Sequence, residues 1–244
     1  MSVKPGKVKR HGFSVRFVHW TVTLSTFVLL FTGFGQMPIY RRYMVDRLPG
    51  LAWSSDFAVT LKLHYLAAAV LIFAVAYHIT YHLIRRDFAI LPRRGDLKES
   101  YLIIKAMLTG GEEPPSGKYL AEQRLAYAFI GANLLVLIIT GIFKVLKNLP
   151  GVDFSPAFRY WITAFHNLAT LLLLFGLLAH FAAFIFKDNR QLLPGMFTGY
   201  VDLDYVRRRH RRWYEELRRQ GKIPASPCEE VDAASTRKVR RKSA

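Results

Sequence analysis

The sequence predicts an all-α membrane protein, a bundle of four transmembrane helices with both termini cytoplasmic. Three observations carry this. Four apolar segments, roughly Phe17–Gln36, Leu61–Ile84, Leu125–Lys147 and Phe158–Phe186, are each long enough to cross a bilayer, which needs about 20 such residues. Of the 35 lysines and arginines, only Arg41, Arg42, Arg47, Lys62, Lys144, Lys147 and Arg159 fall on the side opposite the termini, a positive-inside asymmetry. Finally, His19, His64, His78, His82, His166 and His180, out of eight histidines, lie within or at the edge of the spans.

The elements follow in order. Residues 1–16 form a basic cytoplasmic N-terminus that runs into the first span without a small-residue cleavage site, so this segment is expected to stay in the membrane. The membrane domain covers 17–186. Its cytoplasmic loop, 85–124, contains LKESYLIIKAML, in which Leu97, Tyr101, Ile104 and Leu108 recur at helical spacing and predict a short interfacial helix. GGEEPPSG then breaks the chain. Residues 187–223 read as a basic helical extension at the membrane surface, and 224–244 have the composition of a disordered tail.

A net charge of +18 would suggest nucleic acid for a soluble protein. Here its distribution reads as topology and contact with anionic lipid, and no nucleic-acid partner is expected. The single cysteine, Cys228, excludes an intramolecular disulfide, a cysteine-ligated iron–sulfur cluster and covalent haem attachment. A metal held here uses histidine or oxygen.

The most informative stretch is HNLATLLLLFGLLAHF, His166 to Phe181. A separation of fourteen residues brings two side chains to nearly the same helix face, about 21 Å apart along the axis. Ionisable groups at membrane depth are costly and usually functional. The alternative for any one of them is an interhelical hydrogen bond. His11 and His210 lie among basic residues outside the spans and are expected to be solvated. With alternating helix directions, His64 and His166 share the outer level, while His19, His78, His82 and His180 crowd the inner one. An axial pair of imidazoles on facing helices suits a six-coordinate haem b. The spacing leaves two inner layouts open: His19 with His180, or His78, fourteen residues after His64, with His180. His82 is a weaker rival near the boundary. Gly33 follows His19 by fourteen residues. Gly131 and Gly141 lie toward the inner and outer ends of the third span, and Gly176 lies between the fourth span's histidines. These glycines serve either close approach to a flat macrocycle or ordinary helix packing.

RFVHW, LHYLAA, GKYLAEQR, LIITG, FHNLAT…LLAHFAAFIFKDNRQLLPGMFTG and the ending RHRRWYEEL together resemble the cytochrome b (gamma) subunit of membrane-bound formate dehydrogenases, over roughly residues 10–218. The resemblance implies a four-helix protein with two b haems, ligated by His64 with His166 and by His19 with His180, and a propionate partner in Arg16. It implies electrons arriving from an iron–sulfur subunit whose molybdenum or tungsten molybdopterin partner oxidises formate. They leave to menaquinone or ubiquinone near the cytoplasmic face of the prokaryotic inner membrane; from their position, His180, Lys118, Tyr119 and Glu122 are expected to line the quinone site. The family supplies an Asn after its Lys-Tyr and a Gly two residues on. Here Leu120 and Glu122 stand in those places, while Gly117, Lys118, Tyr119 and Gln123 match. Glu122 is expected either to carry a proton to quinone or to pair at the surface with Arg124 or Lys118. Related readings are the cytochrome b of a hydrogenase or thiosulfate reductase complex, or, from another class, a haem-free anchor or proton-relay transporter. The chain's one thiol lies in the polar tail, and it carries no Gly-rich loop or external domain with which to act on formate.

Overall fold

The computed structural model describes residues 6–223. The expected disordered tail, 224–244, lies outside the described residues, as do 1–5. Four helices are long and apolar enough to cross a membrane: α1 (Phe13–Gly35), α3 (Phe57–Arg85), α5 (Ala121–Leu146) and α6 (Pro156–Ala182), the last extended by a 3-10 turn to Ile185. They start two to four residues before the predicted spans because capping begins the helices ahead of the apolar runs. The Asp56 carboxylate accepts from the amides of Ala58 and Val59 (2.8 and 3.1 Å) to start α3. The Ser155 hydroxyl accepts from Phe158, with Pro156 at the first helical position, to start α6.

The helices pack as two hairpins, α1 against α3 and α5 against α6. Most of their large apolar side chains are exposed, as a lipid-facing surface requires. The shared core is narrow: Leu71, Leu134 and Leu173 are buried, flanked by Val22, Leu29, Val75 and Leu177. Leu71 stands midway between His64 and His78 and Leu173 midway between His166 and His180. An apolar layer therefore separates the two histidine levels by about 10 Å on each side.

The first and last described segments lie at one end. Strand β1 (Lys7–Lys9) pairs antiparallel with β2 (Tyr200–Asp202), Val8 opposite Val201. On this ribbon α9 (Leu203–Arg209) and α10 (Arg211–Arg219) close a second core of Val8, Val201, Tyr205, Val206, Trp213, Leu217 and Ile223. The basic helical extension predicted over 187–223 thus consists of short helices interrupted by strand β2, which folds onto β1. Gly199 permits the turn: its φ is +86°, and a Cβ there would lie 2.7 Å from the carbonyl oxygen of His11.

The loop at the same end holds α4 (Asp96–Thr109), the predicted interfacial helix. Leu97, Tyr101, Ile104 and Leu108 are all exposed along one stripe, while Ile103 packs against Leu120 and Ala121 at the start of α5. Asp96 clamps α4 to α5, its two oxygens accepting from Arg124 Nη2 and Nε at 2.6 and 2.8 Å. Between the hairpins' remaining elements run the short helices α2 (Pro38–Arg42), α7 (Lys187–Arg190) and α8 (Leu193–Phe197).

Candidate functional site

The two hairpins carry the same device at the end far from the termini. On α1, Thr32 and Gly33 face His64 of α3; on α5, Thr140 and Gly141 face His166 of α6. Thr32 Oγ1 is 2.9 Å from His64 Nδ1, and Thr140 Oγ1 is 2.8 Å from His166 Nδ1. A hydroxyl has one proton to give. Each threonine also lies 2.7 Å from the carbonyl four residues back, Val28 O or Val136 O, which can only accept. The hydroxyl donates there and accepts from the ring. Both imidazoles are therefore protonated at Nδ1 and keep a lone pair at Nε2, the state a metal-ligating histidine needs. A methyl group at Gly33 or Gly141 would sit 3.6 Å from Cε1 of the facing histidine, an ordinary contact, so packing within the protein does not demand glycine at either position. Lys144, one turn beyond Gly141, acts electrostatically on both His64 and His166, and those two histidines act on each other.

At the inner level, His19 and His180 act on each other across the gap between α1 and α6. Nδ1 of His19 is buried without a hydrogen-bond partner among the described residues. His180 is surrounded by the rings of Phe181 and Phe184, at 5.8 and 5.5 Å. His78 is differently placed. Its Nε2 lies 2.8 Å from the Tyr127 hydroxyl on α5, and its ring lies 4.5 Å from that of His82. Arg16 donates through Nη1 to Phe197 O, while its Nε is buried and unpaired. Gly131 has open space where a Cβ would stand. Gly176 does not: a Cβ would lie 3.0 Å from the Phe129 ring, so this glycine serves the α5–α6 contact.

Lys118 and Tyr119 come together just before α5, Lys118 Nζ lying 5.2 Å from the centre of the Tyr119 ring. The sequence reading missed their companions. Arg10 lies over the same ring at 5.4 Å, and His11 packs against it at 6.2 Å. Both are buried, as is His210, so the expectation that His11 and His210 are solvated is wrong. His210 donates from Nδ1 to Gly117 O (2.7 Å) and accepts from Arg10 at Nε2 (3.4 Å). Arg10 also donates to Gln123 Oε1 at 3.2 Å. Burial, followed by the charge of Arg10, holds His11 and His210 near a pKa of about 3, and burial pushes the Tyr119 phenol up to about 12. His11 links this cluster to the inner level, since His19 and Arg16 are among the groups acting on it.

Glu122 pairs with neither Arg124 nor Lys118. Arg124 is committed to Asp96, and both Glu122 oxygens are buried without hydrogen-bond partners among the described residues, with the charges of Arg209, Glu113 and Arg124 acting on them. Leu120 is fully buried against α4.

The family model described as prokaryotic cytochrome b561 matches residues 10–199, all four long helices and every histidine except His210. The chain belongs to the prokaryotic cytochrome b561 family. It is 24% identical over 217 residues to the formate dehydrogenase cytochrome b556 subunit of Haemophilus influenzae, covering 86% of this chain and 83% of that one. It is also 24% identical over 217 residues to the cytochrome b556(Fdn) subunit of the nitrate-inducible formate dehydrogenase of Escherichia coli K12, covering 88% and 93%. Membership gives this cytochrome a haem b electron-transfer role in a membrane. Its residues fit the cofactor: two imidazoles locked with Nε2 free, a buried ring nitrogen of His19 lacking a partner among the described residues, and glycines at 33 and 141 that packing within the protein does not demand.

Proposed function

We propose that this cytochrome carries electrons from the iron–sulfur subunit of a periplasmic formate dehydrogenase, through two b haems, to membrane quinone. The carrying observation is the repeated Thr–His lock, Thr32 to His64 and Thr140 to His166, which prepares two imidazoles at one level as iron ligands. His64 and His166 hold the outer haem, with Lys144 placed to meet a propionate. His19 and His180 hold the inner one, with Arg16 in the corresponding role. The relatives' names support a formate dehydrogenase complex, in which a molybdopterin subunit oxidises formate and this chain does not touch it.

Both termini, the loop 85–124 and the extension 187–223 lie on the cytoplasmic side of the inner membrane, where their basic residues belong. Menaquinone or ubiquinone is reduced at that side, in a pocket formed by Lys118, Tyr119 and His180 with Glu122 at its margin. Electrons from the outside then meet protons from the inside, and turnover separates charge.

The test is a reduced-minus-oxidised spectrum with haem extraction on the purified chain, followed by re-oxidation with a soluble naphthoquinone. Two haem b per chain, re-oxidised by the naphthoquinone, is the expected result. A chain without a b-type α band contradicts it.

A further inference from the structure

A group of titratable side chains stands at the inner level outside both haem pairs. His78 and His82, one turn apart on α3, hold their rings 4.5 Å from centre to centre. His78 Nε2 is 2.8 Å from the Tyr127 hydroxyl on α5. His82 Nδ1 is 2.7 Å from the backbone carbonyl oxygen of Asp87, in the loop just past α3. A carbonyl only accepts, so His82 carries its proton at Nδ1 and presents a lone pair at Nε2. That Nε2 is buried and has no hydrogen-bond partner among the described residues. Asp87, at the His82 end, and Tyr127, at the other, are both among the groups acting on Tyr119, and Asp87 also acts on Lys118. Tyr81 packs edge-on to His82 at 5.5 Å and closes the cluster toward its own helix.

These groups run from the loop at the terminal end into the bundle and finish beside the residues assigned to quinone. Structural hydrogen bonding alone explains His78 poorly, because an i,i+4 pair of imidazoles in lipid needs only one partner between helices, and His82 spends its own on the loop. The unfilled Nε2 is an acceptor with no acceptor's work in the static structure. A buried lone pair on one imidazole, beside a second imidazole that reaches a phenol, is an arrangement that can pass a proton.

We infer that His82, His78 and Tyr127 form a proton relay from the terminal side to the quinone pocket, an inference that rests on the quinone reading above. The relay moves one proton per pass. His82 binds the proton at Nε2 and hands that same proton to Nδ1 of His78; His78 gives up its Nε2 proton to Tyr127 as the Tyr127 hydroxyl protonates a quinone oxygen, and His78 returns to its Nε2-protonated form before the next pass. Two passes, with two electrons delivered through the haem levels, convert one quinone to one quinol. The protons come from water on the terminal side. Glu122 stands off this line, facing Arg209 and Glu113.

Two acceptors separate proton delivery from electron transfer. The full chain with its haem is reduced with dithionite, then re-oxidised in a stopped-flow instrument by menadione, which takes up protons, or by ferricyanide, which does not. His78→Gln, His82→Gln and Tyr127→Phe are expected to slow menadione by about a hundredfold, to leave ferricyanide unchanged, and, for the histidine variants, to recover with added imidazole. The pair also predicts a binding signature independent of activity. Zn²⁺ alone, titrated into the full chain, bridges the two imidazoles, and His82→Gln loses one bound equivalent. Equal slowing with both acceptors, wild-type menadione rates in the histidine variants, or an unchanged Zn²⁺ stoichiometry overturns the relay. If the wild-type chain reduces ferricyanide but not menadione, the quinone reading fails and the relay falls with it.

Discussion

The Thr140 hydroxyl lies 2.8 Å from Nδ1 of His166, and because it donates to Val136 it accepts from the ring. The same relation joins Thr32 to His64 on the other hairpin. Replacing either threonine by valine keeps the shape and removes the acceptor. Such partners of ligating histidines typically contribute about 10- to 100-fold in affinity. Thr140→Val should weaken the outer haem by that order, and Thr140→Ser should restore it. Haem titration of the apo-chain reads both.

The glycines divide by what faces them. Gly33→Leu and Gly141→Leu fill space beside His64 and His166 and should each cost the chain one haem while leaving its thermal unfolding little changed. Gly176→Leu meets the Phe129 ring and should instead lower stability by about 1–3 kcal/mol, the usual cost of overpacking. Haem per chain and the unfolding midpoint, measured on the same three variants, distinguish the two outcomes.

Much of this was legible in the sequence. The spans follow from apolar length, the α4 stripe from helical spacing, and the histidine levels from fourteen-residue separations. The Thr-Gly pairs at 32–33 and 140–141 were visible too, but a threonine's role depends on which carbonyl takes its proton, and that is a matter of geometry. His11 and His210 were misread because their neighbours in sequence are basic. What buries them is the pairing of Lys7–Lys9 with Tyr200–Asp202, a contact between residues nearly 200 positions apart that no local pattern announces. Of the two readings of Glu122, surface pairing falls away because Asp96, far back in the loop, occupies Arg124.

The buried neutral histidines make this terminal platform sensitive to acid. His11 and His210 are held near a pKa of about 3, below the ordinary value of about 6.5. The unfolded platform therefore binds more protons between these values. The contribution is fully present above about pH 6.5 and is lost progressively as pH falls toward 3, by up to about 1.4 kcal/mol per pH unit for each ring. Hydrogen exchange at the amides of β1 and β2 should accelerate, beyond its intrinsic pH dependence, between pH 7 and 5. Protection that stays constant over that range contradicts the assignment.

The central claim is that His19 and His180 hold the inner haem while His78 serves another purpose. His19 presents a buried ring nitrogen with no partner, whereas His78 is bonded to Tyr127 and faces His82. The direct measurement is haem per chain in His19→Ala and His78→Ala, beside the wild type. The account predicts two haems in the wild type, one in His19→Ala and two in His78→Ala. Loss of a haem from His78→Ala with two retained in His19→Ala would contradict it and would give the inner haem to α3 and α6.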